Sequence, residues 1–154
     1  MYTLGHLHTK GAPMTLRHDP RAHDESEEIH RLFEQLITQQ IHGFPAPRHS
    51  LNAPTDPGVY IIRDSREHVA HVGETPRAQY GLWQRLSNHT AGQSSFVGQH
   101  LGGNTLRLRT NYTYQYLVVR SSRTRALLEC YAAGKLCPLH IHSSIEPDTA
   151  VEPE

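Results

Sequence analysis

The spacing of apolar residues changes along the chain, and each change marks an element. In residues 24–42, Ile29, Leu32, Phe33, Leu36, Ile37 and Ile41 recur three and four apart, the stripe of an amphipathic helix. Asp24 with Glu27 reads as its capping box and Gly43 as its stop. Two β-branched runs then flank Asp64-Ser65-Arg66-Glu67, which predicts a hairpin with a four-residue turn. Alternation on the first run puts Tyr60 and Ile62 on one face and Val59 and Ile61 on the other; on the second, Val69, His71 and Gly73 fall together. Residues 81–89 read as a helix on which Arg85 and His89, four apart, project together. A glycine-bearing loop is predicted over 91–105, with one helical turn around Phe96, Val97 and Leu101. Tyr112, Tyr114, Tyr116 and Val118 alternate as on a strand, and Ser121 or Ser122 caps a helix running to Lys135 with Leu128, Tyr131, Ala132 and Leu136 inward.

These elements predict an α+β domain over 23–142: a small central antiparallel three-stranded β-sheet flanked by helices, plus the N-terminal helix 24–42. Residues 1–22, rich in histidine, glycine and proline, read as a flexible arm, and 143–154 as an acidic tail. A proline-rich connection joins the first helix to the hairpin.

Composition narrows the partners. No apolar run approaches a membrane span, and the N-terminus lacks the apolar centre of a signal peptide. With two cysteines there is no disulfide framework, so the expected compartment is the cytoplasm. The formal net charge is zero, yet residues 57–128 carry nine arginines against three acids. Every cation in that body is arginine, whose fork suits bidentate phosphate contact. Arg77, Arg107 and Arg109, with His100 in the glycine loop, are the expected nucleic-acid contacts.

Regular structure thus gathers the phenol of Tyr60, the imidazoles of His71 and His89 and the guanidinium of Arg85 in one segment. The segment resembles the GIY-YIG nuclease family. Gly58-Val59-Tyr60 matches the first tripeptide of that motif, and His71-Val72-Gly73 occupies the place of the second, with histidine where the family has tyrosine. Residues 82–89 resemble the arginine-bearing helix, and Ala126-Leu127-Leu128-Glu129-Cys130-Tyr131 resembles the helix that carries the metal-binding glutamate, with Pro138 after it. The family's asparagine falls at Ile141, flanked by His140 and His142, which stand as substitutes and as nucleic-acid contacts.

The resemblance implies a metal-dependent endonuclease acting on nucleic acid, double-stranded DNA foremost, as monomer or homodimer. In it Glu129 would hold Mg2+ (or Mn2+), Tyr60 and His71 would orient or deprotonate water, Arg85 would clamp the scissile phosphate, and His89 would contact phosphate or relay a proton. Two other readings remain open at this point. One is a non-catalytic binding module of the same fold. The other is a zinc-stabilised module using Cys130, Cys137, His140 and His142.

Overall fold

The computed structural model of the chain describes residues 19–75 and 79–141. In order these are α1 (Pro20–Ile37), β1 (His42–Gly43), β2 (Gly58–Arg63), β3 (Val69–Glu74), α2 (Gly81–Thr90), a π-helical turn (Phe96–His100), α3 (Thr105–Asn111), β4 (Thr113–Val118) and α4 (Ser122–Leu136). The four strands form one antiparallel sheet in the order β1-β4-β2-β3, so the predicted three-stranded core gains a two-residue edge at His42 and Gly43. No described helix is long and apolar enough to cross a membrane.

Strand alternation sorts the core into two layers as expected. Tyr60, Ile62 and Tyr114 face α2, the π-turn and α3; Val59, Ile61 and Val72 face α1 and α4. The second hairpin strand departs from simple alternation. Ile62 pairs with His71 but its neighbour Arg63 pairs with Val69, so Ala70 is an extra residue in a bulge. The bulge turns Val69 to the α1–α4 side, away from His71, which corrects the single face predicted for the two.

The first helix is shifted from its predicted bounds. It starts at Pro20, not at residue 24, because Asp19 caps it: its carboxylate accepts the Arg21 N–H at 3.0 Å, and proline suits the first helical position. It ends at Ile37, before Gly43, because side chains take its last carbonyls. The Thr38 hydroxyl donates to Glu34 O at 2.9 Å, and Gln115, buried in β4, donates to Leu36 O at 2.8 Å. Residues 105–111 form a helix where sequence showed only a loop's end and a strand's beginning; Asn104 caps it through the Arg107 N–H at 2.9 Å. Ser121 is the cap of α4.

At the far end of α4, Cys137 adopts the left-handed conformation, φ 45°, and reverses the chain. The returning segment docks on the bulged edge of β3, with Leu139 N–H donating to Val69 O at 3.1 Å and His140 N–H to Ala70 O at 2.9 Å. A side chain at this conformation costs about 1 kcal/mol relative to glycine. Cys137→Gly is therefore expected to raise the thermal unfolding midpoint; an unchanged or lower midpoint would show that the thiol makes a compensating contact.

Candidate active site

Tyr60 is the centre of the polar cluster. Its ring crosses the sheet over the neighbouring strand at Gly73, its register partner, where an added Cβ would overlap the phenol oxygen. The ring is fully buried, so its hydroxyl needs a partner. His89, one turn beyond Arg85 on α2, supplies it: Nε2 lies 2.8 Å from the phenol oxygen. Nδ1 of the same ring lies 2.7 Å from Ser94 Oγ, which also accepts the Val97 N–H at 3.2 Å. Burial pushes the Tyr60 phenol up to about 12, against the pull of the Arg85 guanidinium beside it, with Glu129 and Glu74 adding to the rise. Burial, helped by His71, Arg85 and His140, holds His89 well below the ordinary imidazole value. Tyr60 therefore keeps its proton at neutral pH and His89 stays uncharged. Both ring nitrogens of His89 are engaged, and a cation lies beside the phenol oxygen. The consistent assignment has Tyr60 donating to Nε2 and Nδ1–H donating to Ser94.

His71 packs against this pair. Its ring stacks on Phe96, with centroids 5.2 Å apart at 12°, and lies 5.9 Å from the Tyr60 ring and 5.6 Å from the His89 ring. Its Nδ1 meets His140, at 3.4 Å from the backbone oxygen and 3.3 Å from ring Nδ1.

Glu129 arrives from α4, on the opposite face of the sheet, and meets the cluster at Glu74, the last residue of the outer strand β3. Burial first, then the charge of Glu74, pushes the Glu129 carboxyl up to about 7, while Arg85 and the Glu74 backbone N–H pull it down. Each of Tyr60, Arg85 and Glu129 thus lies within electrostatic reach of the others. Glu129 and His140 line one hollow of about 320 Å³ with Val72, Cys130, Pro138 and Ile141. Arg85 is half-buried, and its Nε is buried without a hydrogen-bond partner among the described residues.

A divalent cation fits this donor set. Glu74 is already paired with Arg125 at 3.2 Å, which leaves the half-buried Glu129 as the carboxylate able to take a cation, and magnesium keeps most of its waters and needs one or two protein carboxylates. Glu129 would hold it, with Glu74 nearby. The zinc arrangement finds no support: Cys130 and Cys137 are exposed thiols, and no group of three or more histidines, cysteines or acids converges on a metal position among the described residues.

The expected nucleic-acid contacts separate. Arg107 is exposed and lines a polar hollow of about 350 Å³ with Arg66, Asp64 and Asn111. Arg109 is used internally, donating to Pro45 O at 2.7 Å and Thr90 O at 3.0 Å, which ties the proline-rich connection and α2 to α3. His140 faces inward, and His100 stacks on Phe96 with centroids 5.4 Å apart. Arg77 and His142 lie outside the described residues.

Sequence reasoning missed Glu74, Arg125 and Ser94. Arg125 is buried in α4 and donates to Glu74 at 3.2 Å and to the Val119 and Arg120 carbonyls at 3.1 and 2.8 Å. The available signal was an arginine one turn before Glu129 with an acid directly after Gly73. Glu74→Gln is expected to drop the Glu129 carboxyl from about 7 toward the ordinary carboxylate range, because a like charge is removed. Leaving Arg125 buried without its charge partner should also cost about 3 kcal/mol. Carbon-13 titration of the carboxyls and denaturant unfolding read the two effects; an unmoved Glu129 would mean that the carboxylates do not interact.

No family model matches the chain. Among curated proteins it is similar to the UvrABC system protein C of Clostridioides difficile (strain 630), 26% identical over 90 residues, which are 56% of this chain and 13% of that protein's own length. Among solved structures it is similar to the GIY-YIG N-terminal endonuclease domain of UvrC from Thermotoga maritima bound to its catalytic divalent cation, magnesium. The identity is 20%, covering 73% of this chain and 94% of that one, with a TM-score of 0.42. A point mutant of the same domain with its cation matches at 20% identity over 73% and 93%, TM-score 0.41. The family these structures name is the one that the tripeptides at residues 58–60 and 71–73 resemble.

Proposed function

We propose that the chain is a metal-dependent endonuclease of the GIY-YIG type that hydrolyses phosphodiester bonds of nucleic acid, double-stranded DNA foremost, in the cytoplasm. The observation that carries this reading is Arg85: a guanidinium with a buried, unpartnered Nε, placed between a phenol that keeps its proton and a carboxylate held up to about 7. An uncommitted donor between those groups suits an anionic oxygen supplied by a ligand, and a non-bridging phosphodiester oxygen has the right charge.

In this reading Arg85 binds the scissile phosphate and stabilises the charge that grows on it as water attacks. His71 accepts the water's proton, because Tyr60 at about 12 is too weak an acid to serve as a phenolate base near neutrality. The Tyr60 hydroxyl, oriented by His89, holds the attacking oxygen in line. Glu129 would hold a magnesium ion, which would supply Lewis acidity to the reaction. Arg66 and Arg107, at the rim of the polar hollow, give the basic body a place to follow the strand.

One observation favours the second reading, a binding module without turnover. Tyr60, His71 and His89 are 0%, 3% and 0% exposed, so in this conformation neither water nor phosphate reaches them. The endonuclease reading requires the hollow beside Glu129 and His140 to open on binding nucleic acid.

Supercoiled plasmid with and without magnesium decides between them. Nicked or linear product that needs magnesium, and that falls at least about a hundredfold in Arg85→Ala and in Glu129→Gln, is the expected result. Salt-dependent binding with no product under any divalent cation would leave the binding module. Proton and cation compete for Glu129, so the magnesium concentration giving half-maximal rate is expected to rise as pH falls through about 7.

A further inference from the structure

We infer that Gln99, an exposed residue of the π-turn, is a positioning residue that sets which nitrogen of the buried His71 ring carries the proton, acting through His140. The inference rests on His71 being the base of the proposed hydrolysis.

The chain of contacts runs inward from the surface. Gln99 Oε1 lies 3.1 Å from His140 Nε2. His140 Nδ1 lies 3.3 Å from His71 Nδ1, and the backbone oxygen of His140 lies 3.4 Å from the same His71 nitrogen. A neutral imidazole has one N–H and one lone pair, so two facing ring nitrogens are satisfied only when one donates and the other accepts. Gln99 Oε1 is an acceptor, which places the His140 proton on Nε2 and leaves His140 Nδ1 as an acceptor. His71 Nδ1 is then the donor. The His140 carbonyl, which can only accept, requires the same polarity from the other side. Both acceptors therefore assign the His71 proton to Nδ1, which makes Nε2 the basic nitrogen of the ring. Had Gln99 offered its amide N–H instead, His140 would carry its proton on Nδ1 and His71 on Nε2, against the carbonyl.

Local structure holds the relay in place. The bulge at Ala70 and the turn at Cys137 let the returning segment dock on β3, and the His140 N–H to Ala70 O bond, 2.9 Å, fixes the backbone beneath the ring. Phe96 stacks on His71 and meets the His140 ring edge-on at 5.6 Å. Gln99 lies three residues on in the same π-turn, so one short element presents both the stacking surface and the acceptor. Among the described residues, the ionisable groups against His71 are Tyr60 from β2, His89 from α2, with Arg85 near His89, and His140 from the returning segment. His100 lies beyond Phe96, and Glu129 lines the hollow shared with His140. Of these, a substitution at Gln99 touches His140 directly and the others only through it.

Gln99→Glu keeps an acceptor at that position, whereas Gln99→Lys offers only donors. The full chain, labelled with nitrogen-15, reports the His71 tautomer through long-range ring N–H correlations, independently of any activity. Plasmid cleavage in magnesium reports kcat and KM. His71 is expected to be protonated at Nδ1 in the parent protein and in Gln99→Glu, and to shift toward Nε2 in Gln99→Lys. There kcat should fall about tenfold or more with KM nearly unchanged, the loss of a general base rather than of binding. A parent protein protonated at Nε2, or a Gln99→Lys protein whose His71 tautomer does not move, overturns the relay whatever the activity does. If the parent protein cleaves nothing while the tautomers behave as stated, the relay stands and the endonuclease reading falls.

Discussion

A phenol taken wholly out of water must find a hydrogen-bond partner inside the protein, and much of this fold follows from how Tyr60 does so. Its ring needs open space across the sheet, which glycine at position 73 provides. Its oxygen needs an acceptor at hydrogen-bond distance, which fixes the rotation and position of α2 so that His89 points down at the sheet. His89 then needs a partner for its second nitrogen, and Ser94 meets it at the entrance to the π-turn. That turn delivers Phe96, which packs against both His71 and His89. Each polar group buried in this chain obliges the next, because an unsatisfied one costs about 1–3 kcal/mol. The second layer of the core, where α1 and α4 meet Val59, Ile61 and Val72, needs only apolar fit.

Charge follows a different logic from hydrogen bonding here. The Glu74–Arg125 pair is nearly closed to solvent and makes further bonds to two carbonyls, so it is satisfied within the protein. Arg85 is not, and Glu129, which takes the Glu74 backbone N–H, has no ion pair among the described residues. The carboxylate is raised by its surroundings and the guanidinium keeps an idle donor, although the two feel each other's charge. Buried groups retained in this condition cost stability unless something from outside joins them, which separates a binding site from an internal ion pair.

What could be read from the sequence was what periodicity or motif order encodes. The two strand faces at residues 59–62, the placement of Arg85 and His89 on one helix, and the inward face of α4 needed only the periods of 2 and 3.6. Helix ends were less legible because caps compete. Asp24 and Asp19 both offer an N-cap, and Asp19 prevails because Pro20 follows it. The C-terminal end of α1 is set by Gln115, seventy-nine residues away from Leu36 along the chain, which no local pattern reveals. Arg109 and His140 illustrate the same limit. Surface-like residue types in a basic segment suggested nucleic-acid contacts, but long-range packing gave them internal acceptors. The bulge at Ala70 lies behind another miss, since one added residue turned Val69 to the opposite side from His71.

Histidine at position 71 changes more than one side chain. A tyrosine there would need a single hydrogen-bond partner and would present a group that titrates near 10. Imidazole titrates near neutrality but has two inequivalent nitrogens, so it works as a base only if its surroundings choose between them. That choice requires an acceptor on the Nδ1 side. The acceptor must be rigid, and it must itself be prevented from offering a proton. Here the segment after α4 supplies both a carbonyl and a ring, on a backbone pinned to the bulged edge of β3. The stretch at residues 137–140 therefore does for His71 what Ser94 does for His89: it uses the second nitrogen of the ring to fix the role of the first.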